Sequence, residues 1–162
     1  MPVLRLRKIV SGGQTGVDRA ALDWAMIRGL DVGGWCPAGR LAEDGTIPTR
    51  YPLKETDESA YIVRTQGNVR DSDATLILSL SETLNGGSAA TRDLAISLGH
   101  PWLHLSRANA ALTESVGKLR DFLLGHDVEI LNVAGPRASE EPEAGEFVTA
   151  LLDQTFPSPF PT

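Results

Sequence analysis

The segment Ser11-Gly12-Gly13-Gln14-Thr15-Gly16-Val17-Asp18 joins a short apolar run, Lys8-Ile9-Val10, to a segment with helical periodicity. Glycines at such a junction let the backbone turn sharply and approach a ligand, while the free amides and positive end of the following helix face an anion. Gly12, Gly13 and Gly16, with Gln14, Thr15 and Asp18 beside them, therefore read as a phosphate cradle. The same residues also make a tight strand-to-helix turn in which Thr15 and Asp18 form a variant capping box and no ligand is needed. A second glycine turn, Asn85-Gly86-Gly87-Ser88, follows another apolar run and opens another helical segment, with Thr91 in its first turn. Turns that follow parallel strands share one edge of the sheet, so the pair predicts a shared pocket for a phosphorylated small molecule. The alternative is two unrelated helix caps.

Established nucleotide loops fit poorly. A Walker A loop needs Lys and then Ser or Thr after its last glycine, whereas Val17 and Asp18 follow Gly16. The dinucleotide fingerprint GxGxxG fits only with Ser11 in place of its first glycine, and no acidic residue closes the second strand near Trp35-Cys36-Pro37. Arg40, Arg64, Arg70 and Arg137 are candidates to neutralise phosphate, and Arg40, in a long loop, and Arg70 are favoured. Asp18 reads as a sugar-hydroxyl acceptor or, more simply, a helix cap. Cys36 reads as a small semi-buried side chain, and His100 and His104, flanking Trp102 along a strand, read as packing residues. One cysteine and three scattered histidines supply no metal-ligand set.

The elements that would position these residues follow from periodicity. Strands are expected at 8–10, 30–36, 74–80, 101–105 and 128–133. Helices are expected from Val17 to a stop at Gly29, from Ser88 to Leu98, around Leu112 to Leu123, and around Phe147 to Leu152. Strands alternating with helices predict an α/β chain: a three-layer Rossmann-like domain with a mostly parallel sheet flanked by helices. It is expected as one ligand-binding domain over 1–156, with an extended tail, PSPFPT, over 157–162. Residues 37–56, rich in Pro, Gly and charge, read as a long loop, functional or mobile.

Composition narrows the partners. A chain of 162 residues buries about 70% of its unfolded surface, enough for a real core. Charged residues are 22% and mean hydropathy is -0.10, as in ordinary globular chains. The net charge of -6 argues against general nucleic-acid binding and a polybasic membrane surface, although twelve of the fifteen basic residues are arginine and a local basic pocket stays open. No apolar run spans a membrane, and none follows Arg5, Arg7 and Lys8 to form a signal-peptide core. The expectation is a cytoplasmic protein.

The resemblance to a known family rests on several stretches. These are Ser11 to Asp23, Cys36-Pro37-Ala38-Gly39-Arg40 with Glu43-Asp44-Gly45 and Ile47-Pro48, Arg64, Asn68-Val69, Asp71 to Thr75, Gly86-Gly87-Ser88 with Thr91, and Leu131 to Arg137. Together they resemble the putative molybdenum carrier family over nearly the whole chain. That family is similar to YpsA-like proteins in permuted order, within a Rossmann-like superfamily that includes the LOG nucleotide phosphoribohydrolases and the DprA proteins. The resemblance implies a pocket for a phosphorylated small molecule, with the molybdenum cofactor as cargo; a nucleotide suits the same glycines.

The LOG pattern places a Glu shortly after its glycine turn, but here the nearest following carboxylate is Asp93. No catalytic residue is assigned on that basis. The alternative to a carrier is a hydrolase of the N-glycosidic bond of nucleotide phosphates, with Asp18, Glu82 or Asp93 as candidate carboxylates. A third reading is an interaction module, marked by an exposed apolar patch. Domains of this fold commonly form homo-oligomers, and that is the expected state here.

Overall fold

Ala74–Ser79 is buried at every position, as a strand must be when helices cover both faces of its sheet. In the computed structural model, which describes residues 2–161, it is one of five parallel strands in one sheet. In chain order the elements are β1 (Lys8–Val10), α1 (Val17–Ile27), β2 (Asp31–Gly33), β3 (Trp35–Cys36), β4 (Leu41–Ala42), β5 (Gly45–Thr46), β6 (Lys54–Glu55), α2 (Tyr61–Arg70), β7 (Ala74–Ser79), α3 (Gly86–Ser97), β8 (Trp102–Ser106), α4 (Leu112–Gly125), β9 (Ile130–Ala134) and α5 (Ala144–Thr155). The sheet order is β2-β1-β9-β7-β8, with Ile9 opposite Leu131 and Leu76 opposite Val133. This is the Rossmann-like α/β arrangement expected from the sequence.

Handedness dictates where the helices go. The crossover from β1 to β2 moves one way along the sheet and that from β7 to β8 the other, so right-handed connections put α1 and α3 on opposite faces. By the same rule α4 joins α1, and α2 joins α3. The packing agrees: α5 lies against both α1 and α4, while α2 lies against α3. If β9 and α5 were moved ahead of β1, the strand order would read 3-2-1-4-5, the Rossmann order. The chain is therefore a cyclic permutation of that fold. The switch point lies between β9 and β7, where the connections after the two strands leave toward opposite faces and open a crevice.

The structure departs from the sequence expectations in four places. The strand expected over 30–36 is broken at Gly34, whose φ is 127° and whose missing side chain would meet the backbone of Ser11. β2 stays in the main sheet and β3 pairs with β6 instead. Helix α2 has no apolar stripe to announce it: its buried positions are Gly67, Asn68 and Val69. Gly67 admits the Trp35 ring, and the Asn68 side chain accepts from the Trp35 amide at 2.7 Å and donates to the Trp35 carbonyl at 3.0 Å.

The 37–56 segment is built into the body of the protein. Ile47, Tyr51 and Leu53 are core residues, and Arg40, at φ 54°, donates to the carbonyls of Ile47, Pro48, Tyr51 and Leu53 at 2.8–3.3 Å. The C-terminal segment folds back rather than extending. Arg28 donates to the carbonyls of Phe156 and Ser158 at 2.6 and 2.9 Å, and the Phe160 ring stands edge-on to Trp24. Met1 and Thr162, the ends of the expected domain and tail, lie outside the described residues. Among the described residues no helix is long and apolar enough to cross a membrane.

Candidate functional site

Three turns meet at the carboxyl edge of the sheet: the one after β1, the one after β7, and the one after β9 that runs through Gly135-Pro136-Arg137. With the first turns of α2 they enclose a cleft of about 280 Å³, near the lower end of the roughly 300–1,000 Å³ of small-molecule sites. Of the residues singled out from the sequence, Gln14, Asp18, Gly86, Gly87, Ser88 and Thr91 line it. Gly12 lies in an adjoining recess together with Asn132 of β9 and Thr91.

The two glycine turns serve the cleft differently. Helix α3 begins on Gly86 itself, two residues earlier than its periodicity indicates, and no side chain caps it. The first amides of a helix have no acceptor within it, and here the first to find one is that of Ala89, which donates to the Asn85 carbonyl at 3.3 Å. Among the described residues, nothing beyond the chain neighbours and the helix's own backbone lies within 4 Å of where a side chain at Gly86 or Gly87 would begin, and both glycines are exposed. Thr91, one turn on, donates its hydroxyl to the Gly87 carbonyl at 2.9 Å and steadies that first turn.

The β1–α1 turn is filled by the protein. The guanidinium of Arg64 packs where a Gly12 side chain would be, Leu53 lies 2.6 Å from the corresponding point at Gly13, and the Pro136 carbonyl lies 2.6 Å from that at Gly16. Asp18 is buried beneath the turn, accepts from the Gln14 amide at 3.2 Å, and pairs with Arg64 at 3.2 Å. Burial pushes its carboxyl above the ordinary carboxylate value, an effect opposed chiefly by the Arg64 charge.

Two arginines reach the cleft. Arg64, from α2, and Arg137, from the turn after β9, sit with their guanidinium carbons 5.4 and 5.9 Å from the centre of the Tyr61 ring. The Arg64 Nε is buried and lacks a hydrogen-bond partner among the described residues. Arg137 pairs with Glu140 at 2.9 Å. Each cation thus has a carboxylate beside it, and the unmatched attraction for an anion comes from the α3 amides.

The model of one family, described as the circularly permutated YpsA SLOG family, matches residues 9–156. The chain belongs to that family. In its strand order β9 and α5 come last where the Rossmann order needs them first. The chain is also similar to a crystal structure described as a putative molybdenum carrier protein from Syntrophus aciditrophicus SB. That protein shares 42% sequence identity, the match covers 94% of this chain and 96% of that one, and the TM-score is 0.92. No curated protein matches the chain significantly.

In this permuted YpsA-type chain several residues singled out from the sequence lie away from the cleft. Gly13 faces Leu53 and Ile47, and Gly16 faces the turn after β9. The Thr15 hydroxyl bonds Glu43. Arg40 is spent on the carbonyls of its own loop, and Arg70 is exposed and paired with Asp71 at 2.8 Å. Asp93 pairs with Arg92, and neither Asp93 nor Glu82 lines the cleft. Cys36 is fully buried rather than semi-buried. His104 lies 2.6 Å from the Ser79 hydroxyl, and burial lowers the pKa of both His100 and His104. Among the described residues no group of three or more His, Cys, Asp or Glu side chains could hold a metal.

Sequence reasoning missed Tyr61, Ile62 and Thr65 altogether, because the segment that carries them shows no helical periodicity. It named Arg64 and Arg137 but had no reason to rank them above Arg40 and Arg70, since a charged side chain leaves no periodic trace of where it points.

Proposed function

We propose that this protein binds a phosphate-bearing small molecule in the cleft and acts as its carrier. The observation that carries the reading is the start of α3, which no side chain of the described residues caps and whose Gly86, Gly87 and Ser88 line the same cleft as Arg64 and Arg137. An anion there gains backbone hydrogen bonds and the helix dipole at once, a combination suited to phosphate oxygens.

The description of the Syntrophus protein as a putative molybdenum carrier supports a molybdenum-related cargo, and among phosphate-bearing molecules that makes the molybdenum cofactor the first candidate. The residues present suit the phosphate of that cofactor. They offer nothing to the metal, because Cys36, the one cysteine, is buried outside the cleft. The cofactor brings its own dithiolene sulfurs, so the protein need supply no metal ligand. A nucleotide would use the same amides. The proposal extends to a cytoplasmic, homo-oligomeric protein, the common state of domains of this architecture.

Cleavage of an N-glycosidic bond in the same cleft is the competing reading. The lining carboxylates are Asp18 and Glu140. Asp18 is engaged by Arg64 and the Gln14 amide, and Glu140 by Arg137, so both carboxylates already have partners within the protein. Calorimetric titration with inorganic phosphate, a nucleoside monophosphate and the molybdenum cofactor tests the proposal. Saturable binding of at least one, without release of free base from the nucleotide, is the expected result. Turnover to free base would establish the hydrolase instead, and no binding of any of the three would remove the cleft from consideration.

A further inference from the structure

The arginine of the turn after β9 is held in place by a residue from a distant part of the chain. Arg137 stands between two backbone segments that are both pinned. On one side, the Pro136 carbonyl accepts from the Val17 amide at 3.3 Å. On the other, the Ala138 amide donates to the Thr15 hydroxyl at 3.1 Å, and Ser139 donates to Glu43 through its amide, at 3.1 Å, and through its hydroxyl. The Thr15 hydroxyl in turn donates to Glu43.

Glu43 lies in the turn between β4 and β5, and that hairpin is anchored on its own account. The Gln14 side-chain oxygen accepts from the Glu43 amide at 2.9 Å and from the Thr15 amide at 3.1 Å, while Asp44 accepts both ends of the Arg19 guanidinium at 2.6 and 2.9 Å. One carboxylate thus ties together the β1–α1 turn, the β4–β5 hairpin and the turn after β9. Hydrogen bonds from Ser139 and then Thr15 hold the Glu43 carboxyl below its ordinary range, so it is ionised at neutral pH. Glu43 does not line the cleft.

We infer that Glu43 is a positioning residue for the anion site: its carboxylate straps the Arg137 turn to the β1–α1 turn and so fixes the Arg137 guanidinium over Tyr61, opposite the α3 amides. The inference rests on the proposed anion reading of the cleft. Removing a negative charge near an anion site should by itself tighten anion binding. Removing the strap loosens Arg137, and the weakening of a charge-assisted hydrogen bond by misplacement outweighs the distant repulsion relieved.

The test uses the full chain with inorganic phosphate as the probe and backbone amide chemical shifts at α3 as the readout. Glu43→Gln should weaken phosphate binding by about three- to tenfold, since tenfold corresponds to about 1.4 kcal/mol. In an Arg137→Ala background the same change should have no further effect, because the group it positions is gone. Ser139→Ala alters no charge and should weaken binding in the same direction by a smaller factor; it also carries the test if Glu43→Gln fails to fold.

Unchanged or tighter binding in Glu43→Gln, unchanged binding in Ser139→Ala, or an equal loss with and without Arg137 would overturn the inference while leaving the anion site intact. Absence of saturable phosphate binding in the unaltered chain would instead remove the reading on which it rests.

Discussion

The β1–α1 and β7–α3 turns look alike in sequence, each a glycine-rich junction between an apolar strand and a helix, yet they differ in what occupies the space their missing side chains leave. At Gly12, Gly13 and Gly16 that space is taken by Arg64, by Leu53 and Ile47, and by the Pro136 carbonyl. At Gly86 and Gly87 no described residue outside the chain neighbours and the helix's own backbone is within 4 Å. Glycine in the first turn lets parts of the protein approach one another; glycine in the second leaves amides uncovered. A glycine-rich turn is therefore not evidence of a phosphate site until the surrounding chain is known to stay out of it. In this fold it is the turn nearer the switch point that remains open.

The contrast predicts that changes in the first turn and its fillings act on stability, Arg64 acting on binding as well because it also lines the cleft, and that changes in the second turn act on binding. The largest effect is expected from Arg64→Ala, which leaves the buried Asp18 carboxylate without its charged partner and should cost about 3–5 kcal/mol in denaturant unfolding at neutral pH. That loss depends on pH. The folded carboxyl of Asp18 already titrates above its ordinary value of 3.8. The folded chain therefore holds this proton more tightly than the unfolded chain does. Its stabilising contribution is complete below the unfolded value and disappears as pH rises through the folded one. The Arg64→Ala penalty should accordingly grow with rising pH, and Asp18→Asn should abolish that growth. A penalty independent of pH would show that the ion pair is not the source.

Gly16→Ala comes next. Its φ of 82° strains any residue with a Cβ, and the Pro136 carbonyl lies in the way, so a loss of about 2–3 kcal/mol is expected. A loss under about 1 kcal/mol would mean that the turn after β9 yields easily and that the first turn is less tightly filled than described. Gly87→Ala should have the smallest effect on folding, a gain of about 0.5 kcal/mol, because alanine favours a helix and the site has room for its methyl group. Phosphate affinity should nonetheless fall by about threefold as that methyl group crowds the amides. If Gly87→Ala destabilised the fold and Gly16→Ala spared it while weakening phosphate binding, the assignment of the two turns would have to be exchanged.

What could be read from the sequence was whatever leaves a period or an unbroken apolar run. The run at 74–79 became the fully buried β7, and Phe147, Val148, Leu151 and Leu152 became the buried face of α5. Helix α2 escaped because its inner face is Gly67, Asn68 and Val69, held by hydrogen bonds and close approach. The core residues of the 37–56 segment escaped because Ile47, Tyr51 and Leu53 stand singly among prolines and charges, with Arg40 tying together backbone that forms little regular structure.

For the site, residue type identified the glycines of α3 together with Ser88 and Thr91. It could not show that Arg64 and Arg137, rather than Arg40 and Arg70, reach them. That depends on β9 inserting between β1 and β7, a pairing between segments more than fifty residues apart, which no local pattern encodes.

Whether the anion docks at the start of α3 or in the β1–α1 turn can be read from the backbone itself. A titration of the isotopically labelled protein with inorganic phosphate, followed residue by residue through its backbone amide shifts, tests it directly. Saturable shifts are expected, largest at Gly86, Gly87 and Ser88, with smaller ones near Arg137. Shifts concentrated instead at Gly12, Gly13 and Gly16, or no saturable shift at any of these amides, would contradict docking at α3.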